Sequence, residues 1–279
     1  MNYPYLRRGN RLPTVAVLQK LLNVNGASIS VDGIFGSDTV HAVQRYQTQH
    51  NIQPTTGRVG ITTWTSLASC HNLRIVDCVD VFDESLYDWE ATDLRAIGSD
   101  PILIGGMCNG IEAAVDAIVS RATTRNLFLL RFHGHGSPGA AGISDGHGEI
   151  PRTCTSTSCT DAVPISEEEN TAATLLSLAR LRSVWERLRG VFSPYGSVQF
   201  MHCSTGRGIT GRRFLEAFAD IVEVPVTAAR EVQYGGELDT FRFEGSVRTA
   251  FPNGGSLMSW SQALPDFMPV CRPVTEYHF

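Results

Sequence analysis

The 279-residue chain reads as a mixed α/β protein: an α/β/α sandwich with a mainly parallel sheet, preceded by a small three-helix unit. Three observations predict this. Beyond residue 71, strand-length apolar runs alternate with helix-length amphipathic stretches, which is how a mainly parallel sheet with helices on both faces is written. Within residues 1–70, apolar residues recur at helical spacing. The two parts also differ in charge. Residues 1–70 hold six basic residues (Arg7, Arg8, Arg11, Lys20, Arg45, Arg58) and two acidic ones (Asp32, Asp38), a net +4. The remainder holds 17 basic and 26 acidic residues, a net −9. The expected domains are therefore 1–70 and 71–279.

In the first part, Val15, Leu18, Leu21 and Leu22 follow Pro13-Thr14 at helical spacing. Ser37 is placed to cap a second helix bearing Val40, Val43, Tyr46 and Gln47, with Asp38 suited to the dipole of its first turn. Trp64 and Leu67 anchor a third helix after Thr62. The glycine-rich turn Val31-Asp32-Gly33-Ile34-Phe35-Gly36 joins the first two. So short a unit buries little area, and its stability rests on a few large apolar residues.

In the second part, strands are expected over 75–82, 126–132, 197–201 and 224–228. Helices are expected over 110–121 and 211–220. Ser166-Glu167-Glu168-Glu169 has capping-box spacing and is expected to open a long helix through Leu175, Leu178, Leu181, Trp185 and Leu188, closed by Gly190. Short strands are expected after Gly235. Between Gly136 and Ser166 runs a long polar stretch. A loop of that length in a compact domain is usually functional or disordered.

Composition narrows the function. The chain is 42% hydrophobic and 18% charged, an ordinary soluble globular balance. No apolar run approaches the ~18 residues of a membrane span. The start, Met1 to Arg8, has no apolar core of signal-peptide length, so no standard export address is expected. Lys20 is the single lysine beside 22 arginines, and no basic stripe points to nucleic acid. Seven cysteines make no dense framework; pairing of Cys154 with Cys159 stays open, and free or buried thiols are expected. No cofactor is implied.

Two segments carry chemistry. Leu129 to Phe132 ends at His133-Gly134-His135-Gly136-Ser137, and Val198 to Met201 ends at His202-Cys203-Ser204. In α/β domains reactive groups collect beyond the carboxyl ends of parallel strands. There an imidazole promotes ionisation of a thiol, the most reactive common nucleophile once charged. Cys203 and His135 are thus the candidate nucleophile and base. Gly136 and Cys203 are placed to offer backbone N–H groups to an oxyanion. His133 and His202 are read as packing or orienting residues.

Resemblances sharpen both parts. Gly9, Val15-x-x-Leu18-Gln19-x-x-Leu22, Asp32-Gly33-x-Phe35-Gly36-x-x-Thr39, Ala42-Val43, Gln47, Gly57-x-Val59 and Thr63-Trp64-x-x-Leu67 resemble the peptidoglycan-binding domain appended to many bacterial cell-wall enzymes. The resemblance implies peptidoglycan as partner, with Asp32, Gly33, Phe35 and Thr39 as candidate binding residues. Over residues 73–235, Gly134-His135-Gly136-Ser137-Pro138-Gly139 with His202-Cys203-Ser204-Thr205-Gly206 resembles the caspase-like (clan CD) cysteine peptidases. Gly211-x-x-Phe214-x-x-Ala217 and Val226-Thr227-Ala228-Ala229 extend the likeness. It implies Cys203 as nucleophile, His135 as proton carrier, and Gly136 with Cys203 as oxyanion donors. The expected protein is a wall-targeted cysteine hydrolase acting on a protein or peptide. No specificity pocket can be placed.

Two rival readings remain. His133, His135, Asp145 and His147 have the residue types of a zinc site, which would make a zinc-dependent wall amidase or peptidase. A non-catalytic peptidoglycan-binding protein is the other.

Overall fold

The computed structural model describes residues 2–80, 84–104, 110–122, 124–144, 171–234 and 242–268. Elements are numbered among these residues. The first are α1 (Pro13–Val24), α2 (Ser37–Gln49), α3 (Ile61–Ala68), β1 (Arg74–Asp80), α4 (Glu84–Ala96), β2 (Ile102–Ile104) and α5 (Gly110–Arg121). There follow β3 (Leu127–His133), β4 (Gly136–Ser137), β5 (Ala140–Gly142), β6 (Ala172–Thr174), α6 (Leu175–Arg180) and α7 (Arg182–Glu186). The last are β7 (Phe192–Phe200), α8 (Gly208–Val222), β8 (Val226–Ala229), β9 (Val247–Ala250) and α9 (Leu257–Ala263). Two compact units result: residues 4–72 with 257–279, and residues 1–3 with 73–256.

The helical unit holds its turns with two buried glutamines. Gln19 Nε2 donates to Asp32 Oδ1 (2.8 Å), the Ile34 carbonyl (3.0 Å) and Thr39 Oγ1 (3.1 Å), while its Oε1 accepts from the amides of Asp32 and Gly33. Gln47 repeats the device. Its Nε2 donates to the Arg58 carbonyl (2.7 Å) and Thr63 Oγ1 (3.1 Å), and its Oε1 accepts from the Gly57 amide (3.0 Å). Gly33 and Gly57 both sit at φ +71°, a region open to glycine at low cost. Trp64 is fully buried and its indole donates to the Pro4 carbonyl at 2.7 Å. α9 packs against α1. Lys20 pairs with Asp266 at 2.6 Å. The cap of α2 differs from expectation: Gly36 is the N-cap and Ser37 the first helical residue, with no side-chain cap bond.

The larger unit is built on a six-stranded sheet in the order β2-β1-β3-β7-β8-β9. All pairs are parallel except β8 with β9, so the sheet is mainly parallel, as the alternation predicted. One face carries Val76, Cys78, Leu130, Phe132, Val198, Phe200, Val226 and Ala228 into a core with α5, α7 and α8. Phe132 stacks on Phe200 at 5.3 Å, and Phe200 meets Phe218 edge-on at 5.2 Å. Each ring fully buried in this way contributes about 1.5–3 kcal/mol. α4 packs on β1. A separate antiparallel sheet, β4-β5-β6, stands next to the end of β3.

Several boundaries differ from the sequence reading. The strand expected over 197–201 begins at Phe192 and ends at Phe200, and the helix expected from Gly211 begins at Gly208. The long helix expected from Ser166 is corrected. Ala172–Thr174 is a strand paired with β5, and α6 starts at Leu175 under a capping box of Thr174 and Ser177. Leu181 then interrupts the helix before α7, and a 3-10 turn, Arg187–Gly190, ends it. Ser166 to Glu169 lie outside the described residues. α4 and β2 are additions the periodicity did not reveal.

Candidate functional site

β3 and β7 are adjacent, parallel and central in the sheet. Phe132 pairs with Phe200 in register, and the Met201 amide donates to the Phe132 carbonyl at 2.8 Å. His135 and Cys203 each lie three residues beyond that Phe pair. Their two segments are bonded together. Thr205 Oγ1 donates to the Ala140 carbonyl (2.9 Å), the Gly139 amide to the Thr205 carbonyl (3.0 Å), and His202 Nε2 to the Gly142 carbonyl (2.7 Å). Gly136 is so close that a Cβ there would lie 3.0 Å from the Cys203 carbonyl oxygen and 2.5 Å from Thr205 Oγ1. His135 is exposed and Cys203 half-exposed.

The Cys203 thiol is held by main-chain groups. Its Sγ accepts from the Gln233 amide at 3.3 Å and donates to the Gln233 carbonyl at 3.4 Å. The same segment is anchored by the Ser204 amide on the Glu231 carbonyl (2.9 Å) and the Gly206 amide on the Ala229 carbonyl (2.7 Å). Ser204 takes φ +56°, the sharp turn that presents the cysteine. Gly211 is explained here too: a Cβ on it would lie 2.5 Å from the Thr205 carbonyl oxygen, so α8 reaches the loop only with glycine at that position.

His133 serves a different purpose. It is fully buried, with Nε2 3.0 Å from Asp77 Oδ1 and Nδ1 3.7 Å from Glu90 Oε1. Arg131 Nε donates to the same Asp77 oxygen at 2.6 Å, and Arg131 Nη2 donates to the Asn2 carbonyl at 2.7 Å. Burial pushes the Asp77 carboxyl upward, but Arg131 and His133 outweigh it and hold it below the usual carboxylate range. Burial likewise pushes His133 down, and its bond to Asp77 together with the neighbouring Glu90 carboxylate reverses this and raises it. At His202 burial prevails: reinforced by His133 and His135 nearby, it brings the pKa down to about 3, despite the bond to the Gly142 carbonyl. His202 is therefore neutral with its proton on Nε2, and it ties the β7 end to β5.

Among the described residues, no group of three or more His, Cys, Asp or Glu side chains could hold a metal ion. Asp145, His147, Cys154 and Cys159 lie outside those residues. Cys78 and Cys203 are free thiols and Cys70 is exposed, and no described helix is long and apolar enough to cross a membrane.

In the helical unit, three of the four candidate wall-binding residues form the turn itself, and Thr39 lies in the first turn of α2 behind it. Phe35 is 1% exposed and Thr39 2%, leaving little side-chain surface for a ligand. Asp32 Oδ1 accepts from Gln19 and from the Ile34 amide, and a Cβ on Gly33 would lie 2.5 Å from Leu257 Cδ1.

Sequence reasoning missed Asp77, Glu90 and Gln233. Asp77 and Arg131 gave a signal, being charges inside apolar strand patterns, where burial demands a partner. Gln233 gave none, because it acts through its main chain.

Residues 11–67 match the family described as putative peptidoglycan binding domain. The match supports peptidoglycan as a partner. No curated protein matches the chain. Among solved structures, the chain is similar to one titled crystal structure of Burkholderia AP3 phage endolysin, with 24% identity and a TM-score of 0.23. That similarity covers 44% of this chain and 40% of the endolysin chain.

Proposed function

We propose that the chain is a cell-wall-targeted cysteine hydrolase: a peptidoglycan-binding helical unit carrying a caspase-like catalytic unit. One observation carries the catalytic half. Two neighbouring central strands end in register, and a histidine and a cysteine follow at equal distance from the last paired residues. A mainly parallel sheet with His-Gly after one central strand and Cys after its neighbour fits the caspase-like resemblance. The family match over residues 11–67 carries the targeting half.

In this reading His135 takes the Cys203 proton, directly or through one water, and the thiolate attacks a substrate amide carbonyl. The Gly136 and Cys203 amides stabilise the developing oxyanion. His135 returns the proton to the leaving amine, and a thioester to Cys203 remains. Water, deprotonated by His135, then releases the acid and restores the thiol. The substrate is an amide of a protein or of a wall stem peptide. A peptidyl thiol-reactive probe with mass mapping tests the reading: the adduct belongs on Cys203, Cys203→Ala loses hydrolysis while keeping its fold, and chelators leave activity intact. Loss of activity on metal removal, restored by zinc, overturns it.

A further inference from the structure

The helical unit places the C-terminal ends of its first three helices around one pocket of about 230 Å³. Asn25 follows α1, Tyr46 lies in the last turn of α2 and His50 follows it. Ser66 lies in the last turn of α3, and Ser69 and His71 follow that helix. The Tyr46 and His50 rings stack at 4.1 Å, and the Tyr46 hydroxyl bonds Ser66 Oγ at 2.8 Å. All six of these residues line the pocket, and no lysine, arginine, aspartate or glutamate does.

This chemistry selects among the parts of peptidoglycan. Helix C-termini carry the negative end of the helix dipole, which repels a carboxylate and favours hydrogen-bond donors. Burial pushes His71 down, so no imidazolium from it offsets that field at neutral pH. Stem peptides bring carboxylates, whereas N-acetylated sugar rings are neutral, rich in O–H and N–H donors, and have apolar faces for aromatic rings. The volume lies below the ~300–1,000 Å³ of sites for drug-sized ligands and suits a single ring. We infer that the pocket around Tyr46, His50 and Ser66 is the glycan subsite of the wall-binding unit, taking an N-acetylated hexosamine. The assignment rests on the wall-binding reading and locates it away from Asp32, Gly33, Phe35 and Thr39. Arg45 belongs to a separate concavity with His41, Gln44, Thr48 and Gln49, which is the natural rival for an anionic stem peptide.

The test uses the full chain carrying Cys203→Ala, sedimented with purified peptidoglycan at high salt. His50→Ala and Ser69→Trp change exposed pocket residues, and melting curves verify that each variant folds. Both are expected to weaken binding at least about tenfold, Arg45→Ala to leave it unchanged, and an N-acetylglucosamine tetramer to compete. Normal sedimentation by the folded pocket variants, loss only in Arg45→Ala, or competition by stem peptide alone overturns the glycan subsite. A parent chain that stays in the supernatant overturns the wall-binding reading itself, and the subsite with it.

Discussion

The thiol of Cys203 lies between the two main-chain polar groups of Gln233, 3.3 Å from its amide nitrogen and 3.4 Å from its carbonyl oxygen. As a thiol, the sulfur satisfies both. As a thiolate it keeps the amide donor but faces the carbonyl dipole with like charge. Full reactivity therefore requires the Gln233 carbonyl to move. The Gln233 side chain opposes that movement, since its Oε1 accepts from the Glu244 amide at 3.0 Å. Without substrate, iodoacetamide is expected to alkylate Cys203 more slowly than the exposed Cys70. Gln233→Ala should raise the Cys203 rate several-fold and leave Cys70 unchanged, as read by peptide mass mapping. Equal rates for Cys203 in both chains would sink the idea.

The two histidines at the end of β3 are expected to separate stability from turnover. His133 faces Asp77 and Glu90 in a fully buried cluster with Arg131. Removing one partner of a buried ionic group typically costs about 3–5 kcal/mol, because the remaining charges stay buried. His133→Ala should therefore shift the urea midpoint strongly while the surviving folded fraction keeps most of its turnover. His135 is exposed, and His135→Ala should change the unfolding free energy by no more than about 0.5 kcal/mol. It should lower turnover by roughly 10²–10⁴-fold. The reverse pattern would make His133 the base.

Acid stability follows from His202. Its folded pKa is about 3, from burial first and then from His133 and His135. The unfolded value is about 6.5. Between those values the unfolded chain binds more protons, so stability rises with pH and acidification removes up to ~1.4 kcal/mol per pH unit. Asp77 acts in the same direction at lower pH, since a depressed carboxyl loses its contribution as pH falls through its folded pKa. His133 acts oppositely: its raised pKa gives a contribution present below about pH 6.5 and lost as pH rises through the folded value. His202→Gln, which keeps a donor for the Gly142 carbonyl, should flatten the acid limb of a urea-melt series from pH 6 to 4. An unchanged slope would show that another group sets that limb.

What the sequence revealed of this site was its strand-ending residues. Apolar runs stopping at His133-Gly134-His135 and at His202-Cys203 announced two strands and their reactive ends, and β3 and β7 prove adjacent. The long helix expected from Ser166 through Leu188 is not continuous, because Ser-x-x-Glu spacing is local information. Pairing of Ala172–Thr174 with β5 is a tertiary fact that overrides it. Asp77 and Arg131 were visible as charges in apolar strands, yet their bond spans 54 residues and needs the register of β1 on β3 to appear. Phe35 and Thr39 show the converse limit. A family motif marks the residues that hold a turn together as readily as those that touch a ligand.

Gly136 offers the sharpest test of the proposed oxyanion site. Its φ is not positive, so alanine costs no backbone strain there. The obstacle is contact alone: a Cβ would lie 2.5 Å from Thr205 Oγ1, 2.7 Å from His202 Cβ and 3.0 Å from the Cys203 carbonyl oxygen. The β3 end and the β7 end must then separate, and His135 moves with Gly136. A displacement of about 1 Å between reacting groups can cost 10²-fold in rate. Gly136→Ala is thus expected to lower kcat by about that factor while leaving wall sedimentation unchanged. Gly190→Ala, where a Cβ meets nothing within 4 Å, serves as the control and should retain full turnover. Undiminished kcat in Gly136→Ala would mean that the spacing of these two strand ends does not govern the chemistry, and the oxyanion donors would have to be sought elsewhere.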